Sequence, residues 1–445
     1  MPEKKKDISR RDFVRKAAVG AAGLGVTTMT AANYSRVKGA NDRLQIGIIG
    51  PGRRGHDLMN QVGRLKDHSN VEINSVCDLW SYYRDMGSHT VTKLFGKTPK
   101  KYQYYDEMLA DKDLDGVIIA TGDFQHTLPL VDVMKAGKDC YCEKPMATDL
   151  CEAKLALETW KKSKCIVQIG TQRRSEGRHH MVRDIVRSGV LGKISRIAIT
   201  WNYNGPRWHN DRPDVWAALK EEDTDWKRWL LNKPYRPFNK GQYLEYRIYK
   251  ELSSGIPDQW MSHIVDIIQY TMDEDFPRSA TADGGIFVWK EARQSPDTFQ
   301  ASFQYPKEFM FSYSTTFGNE FPQQFRIYGT NGTINLAGRN WTISGEGGEF
   351  RHKENSDQIQ GVKPIEYKEE FAVGTVDRSS ASQPWPGHMK NWIECIRSRK
   401  QPNATVWNGY CMTVSVLMSV AALDEGKKMY WDPIKHQIQD TPPSV

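Results

Sequence analysis

Residues 44–55, LQIGIIGPGRRG, constrain the fold more than any other stretch of the chain. Leu44 to Ile49 is an apolar, β-branched run of the kind that fills a central parallel strand. Gly50-Pro-Gly52-Arg-Arg-Gly55 then completes a G-x-G-x-x-G pattern, and the helix-like HDLMNQVGRL follows. Strand, glycine turn and helix in that order give the pattern a mechanism. Gly50 permits the tight turn, Gly52 lets backbone approach a pyrophosphate, and Gly55 lets helix pack on strand. The helix start offers free N–H groups to an anion, and Arg53 and Arg54 add positive charge there.

A second strand, VEINSVCDL, ends at Asp78. An acid at this distance takes the ribose hydroxyls of a bound dinucleotide, which favours NAD. Arg84 follows soon after, and an arginine there can instead hold a 2′-phosphate, so NAD and NADP both stay open. Strand-like GVIIAT, helix-like HTLPLVDVMKAG and strand-like KDCYCEKP continue the alternation. The predicted fold class is α/β, with a doubly wound parallel Rossmann sheet first. Ligands in such sheets bind beyond the carboxyl ends of strands. Thr121, Gln125, His126, Glu143 and Lys144 fall at such ends.

Composition bounds the partners. The chain has 445 residues and a formal net charge of +8. Residues 1–40 hold nine Lys/Arg and three Asp/Glu, so the remainder carries only about +2, with no basic stripe for nucleic acid. The excess sits in MPEKKKDISRRDFVRKAAVGAAGLG, whose SRRDFVRK resembles a twin-arginine export signal built on Arg10 and Arg11. The apolar stretch after it is too short and too rich in Gly, Ala and Thr for a membrane span. The expectation is a periplasmic or secreted protein that the twin-arginine machinery exports. Seven cysteines show no zinc-site spacing and read as mostly buried thiols without a disulfide framework; no metal is expected.

The succession of G-x-G-x-x-G, GVIIATGDFQH, AGK…EKP and QIGTQRRS resembles the glucose–fructose oxidoreductase / inositol dehydrogenase (Gfo/Idh/MocA) family from about residue 43 onward. The resemblance implies that Lys144 of the Glu-Lys-Pro element lies between nicotinamide and substrate. It implies a cis bond at Pro145, and contacts to cofactor or substrate from Gln172 and Arg173. It also implies a second α+β domain with a large, mostly antiparallel open sheet. The alternating GKISRIAITWNY, TFQASFQYP and FMFSYSTTFG fit such a sheet. The expected layout is a signal and linker at 1–40, a nucleotide-binding domain at 41–170, and a substrate and oligomerisation domain at 171–445. An open sheet with a bare face implies a homo-oligomer, dimer or tetramer.

SSGIPDQWMSHIVDIIQYTMD carries the remaining chemistry, on a helix predicted to start near Asp258. The resembling family has an Asp four residues before the catalytic His, with another Asp three residues after that His. His263 and Asp266 fit the second spacing; Gln259 stands at the first, with Asp258 one residue further back. Either the turn is locally shifted or the acid is lost. A histidine suits removal of a hydroxyl proton, and a lysine ammonium suits a developing alkoxide. Lys144 and His263 are therefore the candidate catalytic pair, with their division of labour open. Arg207, Trp208, His209, Tyr246 and Arg247 are candidates to line a sugar site, with Asp258 or Gln259. Three functions fit: an NAD(P)-dependent oxidoreductase of a sugar, polyol or sugar derivative with tightly held cofactor; an NAD-dependent glycoside hydrolase; or a non-catalytic sugar-binding protein.

Overall fold

The computed structural model describes residues 42–321, 323–337, 340–345, 365–368 and 387–443. The twin-arginine segment lies outside the described residues. The first half alternates strand and helix: β1 (Leu44–Ile49), α1 (Arg53–Leu65), β2 (Val71–Cys77), α2 (Ser81–Phe95), β3 (Lys100–Tyr102), α3 (Tyr105–Leu109), β4 (Gly116–Ile119), α4 (Thr127–Lys135), β5 (Asp139–Cys142), α5 (Leu150–Lys162) and β6 (Val167–Ile169). The six strands pair in parallel in the order β3-β2-β1-β4-β5-β6. Ile46, Ile48, Val117, Ile118 and Ile119 are fully buried, as strands covered on both faces require. Helix α1 buries Gly55, Leu58, Met59, Val62 and Leu65, a stripe at helical spacing. The order reverses between β1 and β4, which opens a crevice at the carboxyl ends of those strands.

The second half adds α6 (Gly177–Arg187), β7 (Ile194–Thr200), α7 (Ser262–Met272), β8 (Ser279–Gly285), β9 (Thr298–Gln304), β10 (Met310–Thr316), β11 (Gln324–Gly329), β12 (Gly332–Ala337), β13 (Asn340–Gly345), β14 (Ile365–Lys368), α8 (Gly387–Ser398), α9 (Val406–Glu425), β15 (Met429–Asp432) and β16 (Gln437–Gln439). They form a ten-stranded sheet in the order β14-β13-β12-β11-β7-β10-β9-β8-β15-β16, as the alternating sequence predicts. Only β7 and β10 pair in parallel. Phe299, Ala301 and Phe303 on β9 and Phe311 and Tyr313 on β10 point into the core, while Gln300 and Gln304 are exposed.

One apolar core runs through both halves, joining Cys142, Met146 and Ile169 to Met261, Val265, Tyr410 and Val414. Helix α8, late in the sequence, packs on the parallel sheet: Met389, Trp392 and Ile393 lie with Ile46, Ile48, Leu58 and Tyr141. His388 fixes that return, with Nδ1 2.7 Å from Ser175 Oγ and Nε2 2.9 Å from the Ile169 carbonyl. A third cluster joins Trp80 and Phe124 to Trp226, Trp229 and Tyr243 from the segment between β7 and α7. All seven cysteines are free thiols, six of them buried and Cys151 exposed.

Candidate active site

The glycine turn has the shape its sequence predicts. Gly50 holds φ +80°, and a Cβ there would lie 2.8 Å from the Ala120 carbonyl. A Cβ on Gly55 would lie 2.2 Å from the Gly50 oxygen, so only glycine lets α1 approach β1 this closely. Helix α1 has no side-chain cap and no acid in its first turn. Its leading N–H groups are therefore left for an anion. The residues fit a dinucleotide pyrophosphate. At the end of β2, Asp78 accepts from the Trp80 N–H at 2.9 Å, and burial pushes its carboxyl up to about 7. Arg84 is not free-standing: its Nη1 donates to the Asp78 carbonyl at 2.7 Å. Arg53 is exposed beside the turn.

The Lys144–Pro145 bond is cis. Three residues expected to touch cofactor, Glu143, Arg54 and His126, are tied into the structure around this turn. Glu143 is 5% exposed and bound to Arg54, whose Nε donates to Oε1 at 2.8 Å. Arg54 is thereby held against Glu143. His126 is 1% exposed and its Nδ1 donates to the Pro145 carbonyl at 2.7 Å. Burial of a charge is costly, and Glu143 and Arg54 meet it by pairing with each other, whereas His126 keeps a buried Nε2 without a partner among the described residues. Thr121 stays at the β4 end and donates to the Gln125 carbonyl at 3.3 Å.

Lys144 itself reaches across the crevice. Its Nζ donates to the Gln259 carbonyl at 3.0 Å and the Asp258 carbonyl at 3.4 Å. An ammonium has three donors, so one N–H is left, and no further hydrogen bond takes it among the described residues. Burial lowers this lysine to about 8, against the raising influence of Asp123 and Glu143.

The carbonyls it meets belong to an irregular turn. Residues Pro257–Met261 form a π-helical turn that runs into α7. The helical segment therefore opens beside Asp258, near the predicted start, but as a π turn that becomes α-helical only from Ser262. The Ser254 N–H donates to Asp258 Oδ2 at 2.7 Å, and the Asp258 N–H donates to Ser254 Oγ at 3.1 Å. A π turn spends one more residue than an α turn. It places Asp258, five residues before His263, where an acid four residues before would sit in a regular helix. The spacing that departs from the family pattern is a shifted turn. Burial, then the Asp123 charge, pushes the Asp258 carboxyl up to about 6.

Gln259, displaced by the shift, bridges Arg247 and Asp123. Arg247 Nε donates to its Oε1 at 3.0 Å, and its Nε2 donates to Asp123 Oδ2. Asp123 also accepts from Ser253 Oγ at 2.6 Å and Tyr246 OH at 3.2 Å. Sequence reasoning missed Asp123, although its place just past β4 is where that fold puts ligand-facing groups. His263 is half-buried. Its Nδ1 has no hydrogen-bond partner among the described residues, and burial with the Lys144 and Arg173 charges holds the ring well below its usual range, hence neutral.

Beside His263 lies an aromatic shelf. Trp201 stacks on Trp260 at 4.8 Å, and its centroid is 6.4 Å from the His263 ring. The Arg173 guanidinium lies 4.8 Å over Trp201, and Arg207 lies 4.9 Å over Tyr203 and 5.7 Å over Trp260. Trp208 packs edge-on to Phe317 at 5.0 Å and so supports the shelf. His209 is engaged by Glu245 and Glu291 at 3.1 and 2.9 Å. Gln172 sits beside Arg173, its Oε1 buried without a partner. Arg174 turns the other way and pairs with Asp266 at 2.7 Å. No cluster of metal-ligating side chains occurs among the described residues.

A Rossmann sheet whose cofactor crevice faces a lysine and a helix-borne histidine from a second, open-sheet domain defines a two-domain, dinucleotide-dependent protein. A family described as "Oxidoreductase family, NAD-binding Rossmann fold" matches residues 44–171, and the "GFO/IDH/MocA C-terminal domain" matches residues 230–335. The chain belongs to the Gfo/Idh/MocA family. It is similar to inositol 2-dehydrogenase of Salmonella typhimurium, 27% identical over 197 residues, covering 43% of this chain and 56% of the relative. It is likewise similar to a glycosyl hydrolase family 109 protein of Shewanella putrefaciens, 28% identical over 210 residues, covering 42% and 44%. The matches span about half the length of these relatives. Among solved structures, levoglucosan dehydrogenase in complex with NADH and levoglucosan has the same fold, with TM-score 0.64 and 16% identity, covering 87% of this chain and 99% of that one.

Proposed function

We propose that the protein is an NAD(P)-dependent oxidoreductase acting on a CH–OH group of a sugar, polyol or sugar derivative. The observation that carries this reading is the placement of Lys144, tethered by two carbonyls of the π turn with one N–H to spare, next to a neutral His263. When bound, the nicotinamide accepts or supplies the hydride. His263 takes the hydroxyl proton, since its lone pair is available at neutral pH. The Lys144 ammonium donates to the same oxygen as negative charge develops there. Asp123, Tyr246, Gln259 and Arg247 hold the frame that orients both. Inositol 2-dehydrogenase and levoglucosan dehydrogenase among its likenesses support a polyol or sugar. The test is reduction of added NAD or NADP by a panel of sugars and polyols; no reduction of either cofactor by any of them would sink the reading.

The aromatic cluster of Trp80, Trp226, Trp229 and Tyr243 holds the segment between β7 and α7 against the chain that follows Asp78. It supports slow release of the dinucleotide, and cofactor lost on brief dialysis would count against that. Half-life in the cofactor-bound state also matters for export by the twin-arginine route, which the Arg10–Arg11 sequence supports and fractionation of the native host would test. The half-exposed Ser, Thr and Gln face of β9 and β10 supports assembly into a dimer or tetramer, which light scattering would refute by returning a monomer mass.

A second reading follows from the likeness to the family 109 protein. Transient oxidation of a ring carbon acidifies the neighbouring C–H, and elimination then cleaves a glycosidic bond, with the same Lys144 and His263. Nitrophenol release from nitrophenyl glycosides without net reduced cofactor distinguishes it.

A further inference from the structure

The charges around the shelf do not balance. Glu143 is taken by Arg54 at 2.7 Å, Asp266 by Arg174 at 2.7 Å, and Glu176 by Arg178 at 2.8 Å and His179 at 3.3 Å. Arg173 lies among them, half-buried, and its side chain makes no hydrogen bond or ion pair among the described residues. Its guanidinium lies 4.8 Å over the Trp201 ring, and the acid whose charge it feels, Glu176, is already shared with Arg178 and His179. A guanidinium flat on an aromatic face keeps its N–H fork at the edge, in the geometry that pairs two oxygens of one oxyanion. The fork stands beside His263, whose ring feels the Arg173 charge. Arg247 lies near Lys144 and 4.5 Å over Tyr246; its Nε is used by Gln259, which carries the contact on to Asp123, and its terminal nitrogens make no ion pair among the described residues. A neutral polyol needs hydrogen-bond donors and acceptors but no uncompensated cation. Leaving such a cation unpaired in a half-buried site costs free energy that a bound counter-charge would return.

We propose that the substrate is an anionic sugar whose oxyanion, a carboxylate or a phosphate, is bound by the Arg173 fork above Trp201, with Arg247 supplying a second positive charge. This rests on the redox reading of the same site. The bound anion also offsets the positive field of Lys144 and Arg173 on His263, and so raises the basicity of that ring when substrate is present.

The test is equilibrium binding to the NADH-loaded protein, followed by calorimetry, for matched pairs. The pairs are glucose, galactose and mannose against their uronates and their 6-phosphates. The charged member of at least one pair should bind about ten-fold or more tightly than its neutral parent, as a charge-assisted contact provides. Uronate and phosphate arms say which oxyanion is taken. In Arg173→Gln that preference should disappear while NADH affinity and melting temperature stay within error, and Arg173→Lys should retain part of it. Equal affinity within every pair, or binding by none, overturns the proposal. So does an Arg173→Gln protein that loses NADH affinity and keeps the preference, because the cation would then serve the dinucleotide. Hydride transfer from neutral sugars with no preference for acids would sink this inference and leave the redox reading intact. Preferential binding of acids with no hydride transfer from any sugar would do the reverse.

Discussion

At the scale of single residues, the site is a set of charges each given a different neighbour. Lys144 is held by two carbonyls and lowered to about 8 by burial, yet kept from falling further chiefly by Asp123. Lys144→Met should lower kcat/KM by about a thousand-fold, as loss of an electrostatic contact to a developing alkoxide does. NADH affinity, read by fluorescence titration, should change little. If the ammonium is the active form, kcat/KM declines as pH rises through about 8. Asp123→Asn removes the negative charge that most raises this lysine, so the alkaline limb should move to lower pH; a limb that stays put would show that Asp123 does not act on Lys144. Lys144 and His263 were legible in the sequence because a Glu-Lys-Pro element and a helix-borne histidine are local patterns. Asp123 was not, because its role is created by Ser253, Tyr246 and Gln259, more than a hundred residues away.

At the scale of elements, one inserted residue explains the departure from the family spacing. The sequence shows Asp258 five residues before His263 and leaves a shifted turn and a lost acid equally open. A π turn needs no signature residue, so only the backbone shows which holds. For His126 and Glu143 the sequence shows only that a strand-end side chain lies near the crevice, and the structure adds their ties to Pro145 and Arg54. The glycine turn was legible because its demands are steric. Gly55→Ala would put a Cβ 2.2 Å from the Gly50 oxygen, so it should abolish measurable NAD(P) binding or shift the turn enough to weaken it by about a hundred-fold in a titration. The QRRS segment splits its two arginines between jobs. Arg174 and Asp266 form a buried pair joining that segment to α7, and removing one partner leaves a buried charge. Asp266→Ala should therefore cost about 3–5 kcal/mol in denaturant unfolding. A loss under 1 kcal/mol would mean that Arg174 finds another partner.

At the scale of the whole molecule, alternation of strand and helix and then of apolar and polar residues made both sheets readable. The return of α8 to the parallel sheet was not, since Met389, Trp392 and Ile393 meet Ile46, Ile48 and Leu58 across more than three hundred residues of sequence. The described residues from Leu44 onward form one compact unit, with the crevice between two halves that share a core. The chemistry proposed for it depends on one claim above the others, that Lys144 and His263 face a nicotinamide and a sugar carbinol together. The measurement is a single-turnover reaction of the NAD-loaded protein with the sugar and sugar-acid panel, following the near-ultraviolet band of reduced nicotinamide. A band that grows with at least one compound in the native protein, and fails to grow in Lys144→Met protein that still binds NADH, is the result expected. A native protein loaded with cofactor that no compound reduces, or a Lys144→Met protein reduced at the native rate, would contradict it.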